Sequence, residues 1–95
     1  MNNLFIEQRF LEELITIFKN TVPNCRILAY GSRINNTAHA GSDLDLALIG
    51  DGDIANLKIA LQESNIPFLL DIVKFENLPD SFKKEIEKNY IEIKF

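Results

Sequence analysis

Two aspartates lie two positions apart in one apolar stretch, and a third lies in the next apolar stretch. Asp43 and Asp45 belong to DLDLALI, and Asp71 belongs to PFLLDIVKF. Because side chains alternate between the faces of a strand, Asp43 and Asp45 are expected to share one face, roughly 6–7 Å apart. Carboxylates in that position repel each other, and one without a partner in an apolar strand costs several kcal/mol. Three hard oxygen donors of this kind suit Mg²⁺ or Mn²⁺, which keep positions open for substrate phosphates.

The turn before the Asp43 strand carries groups that bind phosphate. Gly31 ends the apolar run RILAY and lets the backbone approach a ligand closely. Ser32 offers a hydroxyl and a backbone N–H where a helix is expected to begin, and helix starts favour phosphate. Arg33 adds a guanidinium fork for phosphate oxygens, and the chain returns to Asp43 through Ser42. We therefore predict that Gly31, Ser32, Arg33 and Ser42 form a phosphate-binding site.

Each of these features also has an ordinary structural explanation. Gly31 and Ser32 are consistent with a simple strand-ending turn, Asp43 and Asp45 with a solvent-facing strand, and Asp71 with a buried hydrogen-bond acceptor. The joint spacing favours a site: Gly-Ser, ten residues, Asp-x-Asp, then one Asp 26 positions further on. Two nearby residues are expected to stay outside the chemistry. His39 is expected to be a loop residue without a function, and Tyr30 is expected to pack in the core.

The periodicity of the apolar residues predicts the elements that position these groups. Helices are expected over residues 3–20, 54–64 and 79–90, and strands over residues 26–30, 43–49 and 67–75. Asp53 is the expected N-cap of the second helix, and Pro79 opens the third. The tail at 91–95 alternates apolar and polar residues, which predicts a short edge strand or a contact surface. This order indicates an α+β (mixed α/β) fold, a small mixed β-sheet with helices packed on it, in one domain over residues 1–95.

Composition excludes several classes of function. The 95 residues have a formal net charge of −4, and the basic residues are dispersed, so stable nucleic-acid binding by this chain alone is not expected. The apolar runs are far shorter than the roughly 20 residues that span a bilayer. The N-terminus lacks the basic region of a signal peptide. Cys25 is the only cysteine, which fits a reducing cytoplasm.

The segment YGSRINNTAHAGSDLDLAL, followed by LLDIV, resembles the polymerase-β-type nucleotidyltransferase superfamily. It is more closely similar to the minimal nucleotidyltransferases found beside HEPN-domain partners in bacterial and archaeal toxin–antitoxin pairs. The resemblance covers about Arg26 to Phe75, and the flanking helices agree with that family in order. The chain departs from the family after Arg33, where a small residue and a nearby glycine are common and this chain has INN. Asparagine tolerates the left-handed conformation, so Asn36 is expected to replace the glycine.

The resemblance implies a polymerase-β-like core and a role for each motif residue. It implies that Gly31 and Ser32 hold the triphosphate and that Asp43 and Asp45 bind two Mg²⁺ or Mn²⁺ ions. It implies that Asp71 is the third carboxylate and the base, and that Arg33 belongs to the extended motif. We expect the apolar strand around Asp71 to raise its basicity.

The function expected from the resemblance is transfer of AMP from ATP to a hydroxyl, a tyrosine of a HEPN partner, by the antitoxin of a toxin–antitoxin pair. A non-catalytic antitoxin that occludes the partner is the alternative, and a degenerate nucleotide sensor is a third, which the intact set of aspartates disfavours. The sequence does not separate the first two. A partner, or a second copy of the chain, is also expected from apolar residues left over from the helix and strand patterns, namely Leu4, Phe5, Ile17, Ile91, Ile93 and Phe95.

Overall fold

The computed structural model describes residues 4–34 and 43–95, apart from the side chain of Ser32. The helices in this part of the chain are α1 (Gln8–Thr21), α2 (Ile54–Gln62) and α3 (Asp80–Lys88), and the strands are β1 (Arg26–Tyr30), β2 (Leu44–Ile49), β3 (Leu70–Lys74) and β4 (Ile91–Ile93). Single turns of 3₁₀ helix follow β1 at Ser32–Ile34 and β3 at Phe75–Asn77. None of the helices described is long and apolar enough to cross a membrane.

The four strands form one mixed sheet in the order β3-β2-β1-β4. Strand β2 runs parallel to β3, whereas β1 is antiparallel to both β2 and β4. The mixed sheet with helices confirms the predicted fold class. Strand β4 also settles the choice left open for the tail, because it pairs along the edge of β1, with Ile93 opposite Ile27.

Different helices pack against the apolar side chains on the two faces of the sheet. On one face, the leucines of β2 pack with Leu14 and Phe18 of α1 and with Leu57 of α2 in the main core. On the other face, Leu28 and Ala47 pack with Ile86 of α3. Each large side chain of this kind contributes about 1.5–3 kcal/mol when it is fully buried. The sheet therefore lies between α1 and α2 on one side and α3 on the other.

The helix and strand boundaries differ from the predicted ones by a few residues. Helix α1 begins at Gln8 rather than near residue 3, because the preceding segment is tied to the turn after β1 through a hydrogen bond from Phe5 N to Arg33 O (2.6 Å). Strand β3 begins at Leu70 rather than at residue 67. The predicted cap is confirmed: the Asp53 carboxylate accepts a hydrogen bond from Asn56 N at 3.0 Å.

Most of the apolar residues that the sequence left over are covered within the chain, so the expectation that they form an exposed surface is wrong, whereas the expected partner stays a prediction. Ile93 is buried in the main core, and Phe95 packs against Phe18 with 5.6 Å between ring centroids. Leu4, Ile17 and Ile91 are partly buried against the same core. The pairing of β4 with β1 and the docking of the N-terminal segment cover these side chains. Of that set, Phe5 stays exposed, at 48%.

Candidate active site

Strand register brings two of the three predicted carboxylates together. Asp45 of β2 lies directly opposite Asp71 of β3 in the parallel ladder. Leu44 and Leu46 beside Asp45, and Ile72 beside Asp71, belong to the core that contains α1 and α2, so alternation places both aspartates on the α3 side of the sheet. Asp43 immediately precedes β2 and, two residues before Asp45, is expected on the same side. A short row of like charges therefore crosses the end of the sheet.

The pKa of Asp45 depends on the other two carboxylates of the row. Burial raises the pKa of the Asp45 carboxyl, and the negative charges of Asp71 and Asp43 raise it further. The ionised form of Asp45 is therefore higher in free energy than in water, because the side chain is partly desolvated and because two negative charges lie nearby. Asp45 belongs to an inner strand and is half-buried, whereas Asp43 and Asp71 are exposed.

The exposure of Asp71 corrects one expectation. Its apolar neighbours in the sequence indicated a carboxylate in an apolar environment, but its side chain is exposed. The reason is that β3 is an edge strand of the sheet, so Asp71 has a neighbouring strand on one side only. Asp45 is the carboxylate that experiences desolvation, and Asp71 faces solvent, where an incoming hydroxyl can reach it.

The main chain at Gly31 lies directly beside the carboxylate of Asp45. The Gly31 φ of +83° is in the left-handed region, and a Cβ built at this position would collide with Asp45 Oδ2. A 3₁₀ turn follows, with Ile34 N donating to Gly31 O at 3.3 Å, in place of the longer helix start expected at Ser32. The turn therefore brings main chain next to the carboxylates without a side chain between them. Ser42 and His39 lie outside the described residues, as does Asn36.

Arg33 has a structural role in addition to the role predicted for it. The residue is only 3% exposed, and its Nη1 donates to Phe5 O at 2.7 Å. The guanidinium carbon lies 3.8 Å from the centroid of the Phe68 ring. Burial lowers the pKa of Arg33, and the Asp43 charge opposes that shift. Arg33 therefore fastens the N-terminal segment to the turn, and its contact with phosphate stays a prediction.

Tyr30 joins the row, which the sequence did not indicate. It lies directly opposite Asp45 in the antiparallel ladder, so Tyr30, Asp45 and Asp71 are neighbours across three strands. Burial raises the pKa of the Tyr30 phenol, and the Asp45 and Asp71 charges raise it further. The side chain packs on the core, as predicted, but only partly. Its nearness to the carboxylates follows from strand register, which no local pattern encodes.

Two comparisons with known proteins identify the family of the chain. The family model described as "Polymerase beta, Nucleotidyltransferase" matches residues 12–94. The chain belongs to this nucleotidyltransferase family. It is also 33% identical over 95 residues to the probable protein adenylyltransferase MntA of Haemophilus influenzae, an alignment that covers 95% of this chain and 83% of that protein. The expected membership among minimal nucleotidyltransferases is confirmed, and the protein is an enzyme of the nucleotidyltransferase class.

Nucleotidyltransferases of this family generally use divalent metal ions. Asp43, Asp45 and Asp71 supply hard carboxylate oxygens, the donors that Mg²⁺ and Mn²⁺ prefer, and a cation would offset the repulsion felt by Asp45. Within residues 4–34 and 43–95, no three His, Cys, Asp or Glu side chains are close enough to enclose an ion. The donor chemistry of the three aspartates nevertheless fits a divalent ion.

Proposed function

We propose that this nucleotidyltransferase transfers AMP from ATP to a tyrosine hydroxyl of a HEPN-domain partner and acts as the antitoxin of that pair. One observation carries the proposal: Asp45 and Asp71 are directly opposed on neighbouring strands, with the main chain of Gly31 against Asp45. This arrangement supports a site in which carboxylates able to accept a proton and bind a metal lie beside the turn proposed to hold phosphate. The related MntA is described as a probable protein adenylyltransferase, which supports a protein as the acceptor.

Each residue has a defined part in the proposed transfer. Asp43, Asp45 and Asp71 would hold the two divalent ions, which when bound would supply positive charge to the triphosphate and to the reacting oxygens. The acceptor hydroxyl gives its proton to Asp71 as its oxygen bonds to the α-phosphorus. The bond between the α-phosphorus and the bridging oxygen breaks, and pyrophosphate leaves toward Gly31 and Ser32. Arg33 and Ser42 are proposed as further contacts to the nucleotide.

The other properties of the protein follow from the same proposal. The acceptor comes from a partner that docks on the carboxylate face, so a hetero-oligomer is expected, and a homo-oligomer is compatible with it. Cys25 is buried and is the only cysteine, which supports a reducing cytoplasm as the location. The net charge of −4 supports a protein rather than a nucleic acid as the stable partner of this chain.

The proposal is tested by co-expressing the chain with a HEPN-domain protein from the same genome. The two are expected to purify as a complex, and ATP with Mg²⁺ is expected to add one or more AMP masses to a tyrosine of the partner, as measured by intact-mass and peptide mass spectrometry. Asp43→Asn should keep the complex and lose the added mass. Asp51→Asn is the matched control, because Asp51 is an exposed aspartate beyond the other end of β2.

Occlusion without catalysis is the second candidate. It is favoured by exposed apolar side chains beside the carboxylates, namely Leu69, which lines a pocket with Asp71, and Phe82, which contacts Tyr30. If the complex forms and suppresses the partner, but the wild-type chain never adds a nucleotide, the catalytic proposal is refuted and occlusion is supported. If the wild-type chain forms no complex and adds no mass, both candidates are refuted.

A further inference from the structure

A cavity of about 250 Å³ lies beside the phosphate turn, on the side away from β3. It is lined by Tyr30 and Gly31 at the end of β1, by Phe82, Glu85 and Ile86 of α3, and by Asn89. Gly31 belongs both to this cavity and to the turn that touches Asp45. The cavity therefore adjoins the turn where the triphosphate is proposed to bind.

Two aromatic rings form the apolar part of this cavity. Phe82 is 43% exposed although it is a large apolar residue, and its ring meets the Tyr30 ring edge-on, with 5.9 Å between centroids and 86° between planes. An edge-on contact uses the rim of one ring and leaves a ring face for another partner. Packing among residues 4–34 and 43–95 leaves part of the Phe82 side chain exposed, so a flat ligand is a suitable occupant.

The direction of the reaction decides which substrate lies here. In an in-line displacement at phosphorus, the attacking and leaving oxygens lie on opposite sides of the α-phosphorus. With pyrophosphate leaving toward Gly31 and Ser32, the acceptor hydroxyl approaches from the opposite, Asp71 side, where β3 forms the edge of the sheet. The cavity lined by Gly31 is thus on the side away from the acceptor. Of the substrate groups, the nucleoside of the nucleotide is the one left to occupy it.

We propose that this cavity binds the base of the nucleotide, with Phe82 as the stacking residue and Tyr30 as its support. The inference rests on the proposed function, since it identifies where the donor nucleotide extends beyond its phosphates. Glu85 lies on the cavity wall and is paired only loosely with Lys88, at 3.5 Å between exposed side chains. Its carboxylate can accept a hydrogen bond from the exocyclic amino group of a base. Phe82 thus determines affinity for the nucleoside, separately from the residues that hold the phosphates.

Binding of ATP and of inorganic tripolyphosphate, each with Mg²⁺, tests the proposal by calorimetry. Stacking of a base on an aromatic side chain, measured by alanine substitution, corresponds to a loss in affinity of about 5-fold to 150-fold. Phe82→Ala is expected to weaken ATP binding by that factor and to leave tripolyphosphate binding unchanged. Phe82→Trp should keep ATP affinity, and Phe82→Leu should lose it although the position stays apolar.

Ile59→Ala is the control, because Ile59 is an exposed apolar residue of α2, outside the cavity. Unchanged ATP affinity in Phe82→Ala overturns the inference and leaves the proposed function standing. Equal losses for ATP and tripolyphosphate also overturn it, since Phe82 would then act on the phosphate turn or the fold. If the wild-type chain binds neither ligand, the proposed function fails, and this inference fails with it.

Discussion

Replacing Asp45 by asparagine should stabilise the ligand-free protein, although it removes a residue of the proposed active site. Asp45 faces Asp71 directly across the β2–β3 ladder, and Asp43 is two residues away. A like-charge pair at such a distance destabilises a fold by about 0.2–1 kcal/mol. Removing two of these repulsions should raise the free energy of unfolding by about 0.4–2 kcal/mol. Each kcal/mol corresponds to a rise in Tm of about 4–8 °C for a domain of this size.

The gain should depend on pH in a defined direction. The pKa of Asp45 is higher in the folded protein than its ordinary value, so the fold favours the protonated form. The stability that the wild-type chain draws from protonated Asp45 is fully present below the unfolded-state pKa of about 3.9, and it is lost as the pH rises through the folded-state pKa. The stability advantage of Asp45→Asn over the wild-type chain should therefore be close to zero at the unfolded-state pKa of about 3.9 and should be complete by about pH 7.

Urea unfolding at several pH values measures this gain, and Mg²⁺ with ATP should reverse the order of stability. A ligand at 100 times its Kd stabilises the native state by about 2.7 kcal/mol, which the wild-type chain should gain and Asp45→Asn should not. Asp51→Asn provides the control for the loss of one exposed charge. If Asp45→Asn destabilises the ligand-free protein at pH 7, the carboxylate supports the fold through hydrogen bonds, and the explanation by repulsion is refuted.

Two further predictions concern the turn after β1. Gly31→Val should abolish tripolyphosphate binding, because the valine side chain would collide with the Asp45 carboxylate. It should also lower the free energy of unfolding by about 1–2 kcal/mol, because valine is strained in a left-handed backbone. Unchanged affinity by calorimetry would show that the turn does not contact phosphate. Arg33→Met should lower the free energy of unfolding by about 1–3 kcal/mol in urea, because Phe5 O loses its buried donor. Arg33→Lys should recover little of this loss, because an ammonium cannot reproduce the planar contact with Phe68; full recovery would contradict that role.

The sequence by itself determined the features that depend on short-range geometry. Strand alternation separates Asp43 and Asp45 from the leucines between them, because that period is built into every extended backbone. The cap at Asp53 was also predictable, since a carboxylate before an apolar helix can reach the N–H three residues later. The segment YGSRINNTAHAGSDLDLAL, followed by LLDIV, also resembles the family to which the chain belongs.

Only the tertiary structure decided which of these residues meet and which are desolvated. Asp71 lies in an apolar segment, yet it is exposed because β3 is at the edge of the sheet, whereas Asp45 is half-buried on an inner strand. Tyr30 reaches the carboxylates through the register of β1 against β2, and Phe82 reaches Tyr30 because α3 folds over that face. Strand order, register and helix docking depend on residues far apart in the chain, whose contacts are set by burial of the whole core. For that reason local periodicity located the carboxylates but not the aromatic cavity beside them.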